Sequence, residues 1–334
     1  MSLSSRVALS VVVPCYGEEA SLPALYNRVT RVCAETAGDD YEIVLVNDGS
    51  KDRTWPLIAV LAESDRHVVG VNLSRNHGHQ IALTAGLAIC RGARILVLDA
   101  DLQDPPELLP EMLRLMDAGA DVVYGRRIER QGESPFKRWS ASLFYRLLGA
   151  LAEIEMPADA GDFRLISRRA LDVLNSMPEQ HRFVRGMVTW IGFTQVALPY
   201  RREARAHGTT KYPLSRMIAF ATDAITAFSV RPLRLSSGLA VLFALLGLVV
   251  MGYAIFSWRA GVAVAGWTSL MCVVLIMGSA QLFVLGIFGE YLGRLAIESK
   301  RRPLYVVKEI RSMAAGEMLD AQQTPTAAIA RLKA

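Results

Sequence analysis

The sequence has few groups that bind soft metals. Its four cysteines are widely spaced and form no CxxC pair: Cys15, Cys33, Cys90 and Cys272. Four of its histidines show no ligand spacing with Cys or Glu on a helix: His77, His79, His181 and His207. We therefore expect reduced cysteines, histidines in ordinary loop hydrogen bonds, and no zinc site.

Two glycine motifs for phosphate binding are also missing. No GxGxxG follows the first apolar run, and no GxxxxGK[ST] occurs anywhere. These absences argue against a Rossmann dehydrogenase and a P-loop ATPase. The net charge of +5 fits an anionic membrane surface or a phosphate substrate. Nucleic acid is not expected as a partner, because no basic stripe interleaves with aromatic residues.

Charge is absent from two long C-terminal runs, residues 235–258 and 260–289. Each run exceeds the about 20 apolar residues that a helix needs to cross the hydrocarbon core. Basic residues flank the pair, whereas the connecting loop offers only Arg259, so the positive-inside rule places both termini in the cytoplasm. The apolar stretch at residues 9–13 is too short for a signal peptide. The sequence therefore predicts a multi-pass protein of the plasma (inner) membrane, with the lipid bilayer as a partner.

The first 125 residues alternate short apolar runs with helical patterns. Strands are predicted at 9–13, 42–46, 67–73, 95–98 and 121–124, and helices at 19–35, 52–63, 78–90 and 106–117. Nearly continuous apolar strands separated by helices indicate a parallel sheet covered on both faces. Ligands bind such sheets beyond the carboxyl ends of the strands. Polar clusters lie there, at residues 14–19, 47–52 and 99–101.

Asp99 and Asp101 follow the fourth predicted strand. Because they are two residues apart in an extended segment, their side chains leave the same face. Two neighbouring carboxylates repel each other unless a positive charge neutralises them. Oxygen ligands suit Mg²⁺ or Mn²⁺, and Mg²⁺ is commonly shared between carboxylates and substrate phosphates. The alternative is a pair of solvated aspartates at a strand end, which a DxD pattern alone favours.

The motifs together resemble glycosyltransferase family 2, and within it the polyprenyl-phosphate glycosyltransferases, the group of dolichyl-phosphate mannose synthases and bacterial undecaprenyl-phosphate glucosyltransferases. The matching segments are PCYGEE at 14–19, NDGSKD at 47–52, SRNHGHQ at 74–80, DADLQDPPE at 99–107, GRR at 125–127, AGDFRL at 160–165 and RAHGTTKY at 205–212. The chain departs from the family pattern at Cys15 and Gly17. The resemblance implies an α/β fold of the GT-A type, a Rossmann-like and mostly parallel sheet followed by two transmembrane helices.

The resemblance also implies a reaction and its residues. One sugar would pass with inversion from a nucleotide-sugar, UDP-glucose being the first expectation, to polyprenyl (undecaprenyl) phosphate, with Mg²⁺ or Mn²⁺ as cofactor. Residues implied at the nucleotide-sugar are Pro14, Tyr16, Glu18, Asp48, Asp99, Asp101 and Gln103. Asp99 and Asp101 would hold the metal, and the implied catalytic residues are Asp162, Asp101 and Arg126. Residues implied at the acceptor phosphate are Arg126, Arg127, Arg205 and Lys211.

Asp162 matches the aspartate that is often assigned as the catalytic base of this family. A phosphate monoester has a second pKa of about 6, so the attacking oxygen of a lipid phosphate is largely deprotonated at neutral pH. We therefore expect Asp162 to orient the acceptor or the sugar hydroxyls. The acceptor phosphate and the diphosphate of the donor are both anions and repel each other, so nearby cations are needed to bring them together. For Arg127, a solvated or lipid-headgroup contact is an equal alternative.

The expected domains are a cytoplasmic catalytic domain at 1–210, a juxtamembrane amphipathic helix at 211–234, two transmembrane helices at 235–292 and a cytoplasmic tail at 293–334. An apolar helical face at about 136–151 predicts a further helix lying in the membrane interface. A short strand is expected at 304–307, in subunit contacts. Bacterial members of the group suggest a homotetramer.

Several alternatives stay open at this point. A processive polysaccharide synthase would carry a QxxRW segment, which this sequence lacks, and more membrane spans. A membrane scaffold with a decayed transferase domain would not keep Asp48, Asp99, Asp101 and Asp162 together. A flippase would need polar groups inside its spans. The donor is also open, because GDP-mannose, used by a polyprenyl-phosphate mannose synthase, UDP-N-acetylglucosamine, UDP-galactose and a modified arabinose differ only at a few pocket contacts.

Overall fold

The computed structural model describes residues 7–128, 160–201, 229–261 and 266–313. These residues form two compact units. The first unit contains residues 7–128, 160–201 and 302–313, and the second contains residues 229–261 and 266–301.

The first unit begins with alternating strands and helices. Its elements are β1 (Leu9–Cys15), α1 (Leu22–Ala37), β2 (Tyr41–Asn47), α2 (Thr54–Ser64), β3 (Val68–Leu73), α3 (His79–Ile89), β4 (Arg94–Val97), a 3₁₀ turn (Pro106–Leu108), α4 (Leu109–Asp117) and β5 (Val122–Arg127). Every residue of β1, β2 and β3 is buried, as expected for strands covered on both faces. The five predicted strands and four predicted helices of this segment are confirmed, with ends displaced by a few residues.

The remaining elements of this unit are β6 (Ala160–Ser167), α5 (Arg168–Ser176), α6 (Val184–Trp190), β7 (Gln195–Tyr200) and β8 (Val307–Arg311). All eight strands form one sheet in the order β7-β5-β6-β4-β1-β2-β3-β8. The central strands β4, β1, β2 and β3 are parallel. Strand β6 runs antiparallel between β4 and β5. The sheet is therefore mixed, with four parallel pairings and three antiparallel ones.

The strand that we expected at residues 304–307 lies slightly later, at Val307–Arg311. It pairs antiparallel with β3 of its own chain, with Ile310 opposite Val71. Its pairing partner is therefore the sheet of the first unit, and the expectation that this strand serves subunit contacts finds no support in the pairing.

Close packing of α3 on the sheet helps to position the site. Gly86 of α3 faces Val12 of β1, where an added Cβ would lie 2.4 Å from Val12 Cγ1. The helix can therefore approach the sheet only because this residue has no side chain. Its first residues, His79 and Gln80, are thereby held at the carboxyl edge of the parallel strands.

The second unit contains two helices, α7 (Arg231–Arg259) and α8 (Trp267–Ser299). Within the described residues, the stretch Ile276–Ser299 is long and apolar enough to span a membrane, and Val241–Ser257 is a shorter apolar stretch. Large apolar side chains on both helices are exposed, among them Phe256 at 72% and Leu282 at 71%. Helix α8 begins at Trp267, inside the second uncharged run. Of the two predicted spans, the described residues thus support the one in α8, and the one in α7 stays a prediction.

Candidate active site

The turn after β2 fixes the start of α3. The Asp48 carboxylate accepts hydrogen bonds from the backbone N–H groups of His77, at 2.7 Å, and Gly78, at 2.9 Å. Gly49 adopts a φ of +64°, and a Cβ there would lie 2.4 Å from the carbonyl carbon of Arg75. Only glycine allows both this backbone conformation and this approach. The predicted contact of Asp48 with a nucleotide-sugar stays a prediction, and the structure shows that Asp48 also holds the loop that leads into His79.

The loop after β1 is tied to the same turn. The backbone N–H of Gly17 donates to Ser50 Oγ at 3.1 Å, and that of Glu18 donates to Thr54 Oγ1 at 2.9 Å. Pro14 is buried within β1, whereas Tyr16 is 53% exposed. An exposed aromatic ring above a fixed loop is available for stacking with a ligand. The predicted contacts of Pro14, Tyr16 and Glu18 with a nucleotide-sugar stay predictions.

Asp99 and Asp162 come together through the antiparallel pairing of β4 with β6. Val97 pairs with Arg164, so continuing that register by two residues on each strand sets Asp99 opposite Asp162. His79 lies against both, with Nε2 3.5 Å from Asp99 Oδ1 and 3.3 Å from Asp162 Oδ2. Ligand atoms of these three side chains lie within 4.8 Å of one another. This group can hold a metal ion.

Asp162 is 8% exposed and is held by three donors. Besides His79, Gln80 Nε2 donates to Oδ2 at 3.2 Å and an Arg185 NH2 group donates to Oδ1 at 3.4 Å. Burial alone would raise the pKa of the Asp162 carboxyl. The hydrogen bond from His79 and the positive charges of Arg185 and Arg164 outweigh that effect and hold the pKa below its usual range. Asp162 is therefore ionised at neutral pH, with its charge offset by the protein.

Asp99 differs from Asp162 in its surroundings. The pKa of its carboxyl is raised to about 6, first by burial and then by the charges of Asp162, Asp104 and Asp101, whereas the charge of His79 lowers it. Its Oδ1 atom is buried and accepts no hydrogen bond from any residue that the structure describes. A cation would satisfy this oxygen and stabilise the ionised form. The donor set thus fits the Mg²⁺ or Mn²⁺ that the family resemblance implies.

Asp101 and Gln103 lie on the turn that follows. Asp101 Oδ1 accepts a hydrogen bond from the backbone N–H of Gln103 at 3.2 Å, and both side chains are half-buried. Leu102 between them has a φ of +60°, a left-handed conformation that is costly for a branched residue. The structure groups Asp99 with His79 and Asp162, and Asp101 is outside that close group.

The two arginines at the end of β5 point to opposite faces, as neighbours on a strand do. Arg126 is exposed, whereas Arg127 is half-buried and donates through Nε to the Tyr200 hydroxyl at 3.4 Å. Tyr200 in turn makes a short hydrogen bond to Asp104 Oδ1. Burial alone would lower the pKa of Arg127, but Tyr200 and the charges of Asp104 and Asp99 raise it. Arg127 therefore lies near the acidic group, and Arg126 faces solvent.

Several predicted elements lie outside the described residues. They are Arg205, Lys211 and the interface helix at 136–151. Within the described residues, Arg182 donates to the backbone oxygens of Met177 at 2.9 Å and Leu174 at 2.7 Å. It satisfies carbonyls at the end of α5, which is a structural role.

Comparison with known proteins decides the family. A family model described as glycosyl transferase family 2 matches residues 10–174. An uncharacterised glycosyltransferase of Bacillus subtilis is 42% identical over 308 residues, which cover 92% of this chain and 95% of the relative. The chain belongs to glycosyltransferase family 2. The resemblance drawn from the motifs is confirmed, and the protein is a glycosyltransferase.

The C-terminal part of the transferase also has relatives. A family model of the GtrB C-terminal hairpin matches residues 231–295. A prophage bactoprenol glucosyl transferase homologue of Escherichia coli is 36% identical over 304 residues, covering 91% of this chain and 99% of its own. The bactoprenol glucosyl transferase of Shigella phage SfV is 36% identical over 301 residues, covering 90% and 98%. The similarity therefore includes helices α7 and α8 of this transferase.

Sequence reasoning missed several residues of the site. His79 was assigned to ordinary loop hydrogen bonding, and Gln80, Asp104, Arg185 and Tyr200 received no role. The segment SRNHGHQ at 74–80 was noted as a motif, and its placement at a helix start beside a strand edge was the available signal. No local pattern indicates that Arg185 contacts Asp162, because that contact depends on how α6 packs.

Proposed function

We propose that this transferase moves one sugar from a nucleotide-sugar, UDP-glucose being our first choice, to a polyprenyl phosphate. The observation that carries the proposal is that relatives named bactoprenol glucosyl transferases match it over nearly their whole length, hairpin included. The acidic group at the carboxyl edge of the sheet supports it, because such an edge is where an α/β sheet binds its ligand.

The donor would be held at this edge with a divalent cation. We assign the cation to Asp99 and Asp101, with Gln103 beside them, and the nucleoside to Pro14, Tyr16, Glu18 and Asp48. The bound metal would supply positive charge to the leaving diphosphate. The buried Oδ1 atom of Asp99, which accepts no hydrogen bond within the described part of the chain, supports this assignment. Asp48 retains a free lone pair on each carboxylate oxygen beyond the backbone bonds that it accepts.

The chemistry would be a single displacement. An oxygen of the lipid phosphate attacks the anomeric carbon, the bond from that carbon to the diphosphate breaks, and the nucleoside diphosphate leaves. Attack opposite the leaving group inverts the anomeric centre. Four cations are candidates for the acceptor phosphate: Arg126, Arg127, Arg205 and Lys211. Among them, Arg127 has the placement that supports the role best, because its guanidinium lies near Asp99.

We assign Asp162 a positioning role rather than that of a base. Its carboxylate binds His79, Gln80 and Arg185, and its pKa lies below the ordinary range. A group of such low pKa is a weak proton acceptor at neutral pH. The acceptor phosphate needs little base catalysis, because it is already largely ionised.

We further propose that the protein crosses the inner membrane twice, with both termini in the cytoplasm, and assembles as a tetramer. The exposed apolar side chains of α7 and α8 support the spans. Helix α7 has 29 residues, enough to cross the hydrocarbon core at 1.5 Å per residue.

The test is a donor panel. Purified full-length protein is incubated with undecaprenyl phosphate, Mg²⁺ or Mn²⁺, and separately with UDP-glucose, GDP-mannose, UDP-N-acetylglucosamine and UDP-galactose, and lipid products are weighed by mass spectrometry. We expect one donor to give a monoglycosylated lipid phosphate, and Asp101→Ala to abolish it. No product from any donor, in protein shown to be folded, would favour a scaffold role.

A further inference from the structure

The position of His79 between two carboxylates is unusual in its distances. Its Nε2 atom is 3.5 Å from Asp99 Oδ1 and 3.3 Å from Asp162 Oδ2. Charge-assisted hydrogen bonds from nitrogen to a carboxylate are about 2.7–2.9 Å long. His67 in the same unit shows such a bond, with Nδ1 2.8 Å from Asp65 Oδ1. His79 is therefore aimed at both carboxylates but lies farther from each than a strong hydrogen bond requires.

These distances match those between ligands of one metal ion. Oxygen and nitrogen ligands lie about 2.1 Å from a small divalent cation. Two such ligands are about 3.0 Å apart at a right angle and about 3.4 Å apart at the tetrahedral angle. The separations of His79 Nε2 from Asp99 and Asp162 are 3.5 and 3.3 Å. The Asp99 oxygen that faces His79 is also the one that accepts no hydrogen bond from the described residues.

We propose that His79 supplies an imidazole nitrogen to the divalent cation held at Asp99. This rests on the proposed function, which places a cation at Asp99 and Asp101. Without the ion, Nε2 of His79 is the donor to Asp162; with the ion bound, that nitrogen carries no proton and its lone pair faces the metal. Asp162 then keeps Gln80 and Arg185 as partners and acts as a neighbouring counter-charge. An imidazole nitrogen is a softer ligand than oxygen and favours a transition-metal ion over Mg²⁺. The inference therefore predicts Mn²⁺ as the preferred metal.

The surrounding structure holds His79 in place for this role. Asp48 fixes the two residues before it through their backbone N–H groups, and Gly86 brings α3 close to β1. The imidazole therefore approaches Asp99 from a rigid helix start and not from a long mobile loop. Preorganised ligands of this kind lose little entropy when the metal binds.

Pulsed electron paramagnetic resonance of Mn²⁺ tests this directly. Full-length protein in detergent is loaded with Mn²⁺ alone and with Mn²⁺ plus UDP, and the spectrum is searched for coupling to a directly bound ¹⁴N nucleus. We expect the coupling in the wild type and its loss in His79→Gln, with Mn²⁺ affinity falling by about tenfold or more. His77→Gln is the matched control, because His77 is outside the close group, and it should keep both coupling and affinity.

The outcomes separate this inference from the proposed function. Bound Mn²⁺ without ¹⁴N coupling in the wild type, or coupling that persists in His79→Gln, would overturn the ligand role even if lipid product forms. Coupling that depends on His79 with no product from any donor would leave the ligand role standing and overturn the proposed reaction. Failure of the wild type to bind Mn²⁺ with or without UDP would also overturn the inference. If the His79→Gln variant does not fold, the presence or absence of ¹⁴N coupling in the wild-type spectrum still tests whether a nitrogen binds the metal.

Discussion

Gln80 donates a hydrogen bond from its side-chain amide to Oδ2 of Asp162, over 3.2 Å. Its amide oxygen accepts the backbone N–H of Val184 at 3.0 Å, the first residue of the helix that carries Arg185. A single side chain thus joins three elements, α3, β6 and α6, at the point where Asp162 meets its cations. The orientation of Asp162 depends on this bridge as well as on its charged partners.

Replacing Gln80 by Glu should lower kcat about 10- to 100-fold, because a carboxylate facing Asp162 repels it, and small misplacements in an active site are costly. The KM for the donor should change little. Steady-state kinetics with varied donor and acceptor would measure the effects on kcat and on KM separately. Gln195→Glu is the control, since Gln195 donates to the backbone oxygen of Val188 instead. An equal loss in both variants would indicate general destabilisation and count against the bridge.

The variant Asp162→Asn should lose less than about tenfold in activity, because a general base contributes about 10²- to 10⁴-fold and we assign Asp162 a positioning role. The ordinary pKa of an aspartate is about 3.9, and that of Asp162 lies below its usual range. The side chain therefore does not titrate between about pH 5 and pH 9. The pH profile of kcat should therefore keep its shape. A loss above a hundredfold together with a vanished limb of the pH profile would show that Asp162 is the base.

Substitution of Gly49 by Ala should impair both stability and activity. A Cβ at Gly49 would lie 2.4 Å from the carbonyl carbon of Arg75, so the loop that leads to His79 must move. Gly38→Ala is the matched control, because Gly38 also has a positive φ, +60°, but nothing lies within 4 Å of its Cβ position. We expect Gly38→Ala to cost only the left-handed backbone penalty of about 1–2 kcal/mol. Thermal melting and turnover of both variants would measure the two losses. Equal losses of Tm and activity in Gly49→Ala and Gly38→Ala would contradict a role for the clash with Arg75.

Stability at low pH should depend on Asp121. A hydrogen bond from Arg169 lowers the pKa of this carboxyl, against burial and together with a hydrogen bond from Ser167. Because the pKa is lower in the folded state, the stabilisation is complete above the unfolded value of about 3.9 and is lost as pH falls through the folded value. Asp121→Asn should lower Tm by about 2–4 °C at pH 7. On acidification, the Tm of this variant should then fall less than the Tm of the wild type. Equal slopes of Tm against pH below pH 5 in both proteins would contradict this.

Much of the sheet was predictable from sequence because β1 to β5 are short apolar runs between amphipathic helices. Strand β6 was not predicted as a strand, since Asp162 and Arg164 interrupt its apolar pattern with charges that are buried in the structure. The antiparallel insertion of β6 then brings Asp162 to Asp99. Register between distant strands depends on tertiary packing, so this central contact of the site had no local signal.

The roles of single residues were harder to predict than their presence. Asp48 was expected at the nucleoside, and its two backbone hydrogen bonds show that it also shapes the loop before α3. Arg126 and Arg127 look equivalent in the sequence, but strand alternation exposes the first and half-buries the second. Such differences arise from the face that a residue occupies, and a pair of adjacent arginines does not reveal it.

The central claim is that the transferase adds one sugar to a polyprenyl phosphate. The most direct test is the mass of the lipid formed after prolonged incubation of the full-length protein with undecaprenyl phosphate, UDP-glucose and Mn²⁺. We predict a single product that carries one hexose and does not grow with time. A ladder of longer products would indicate a processive synthase, and an unchanged lipid with every nucleotide-sugar would contradict the claim.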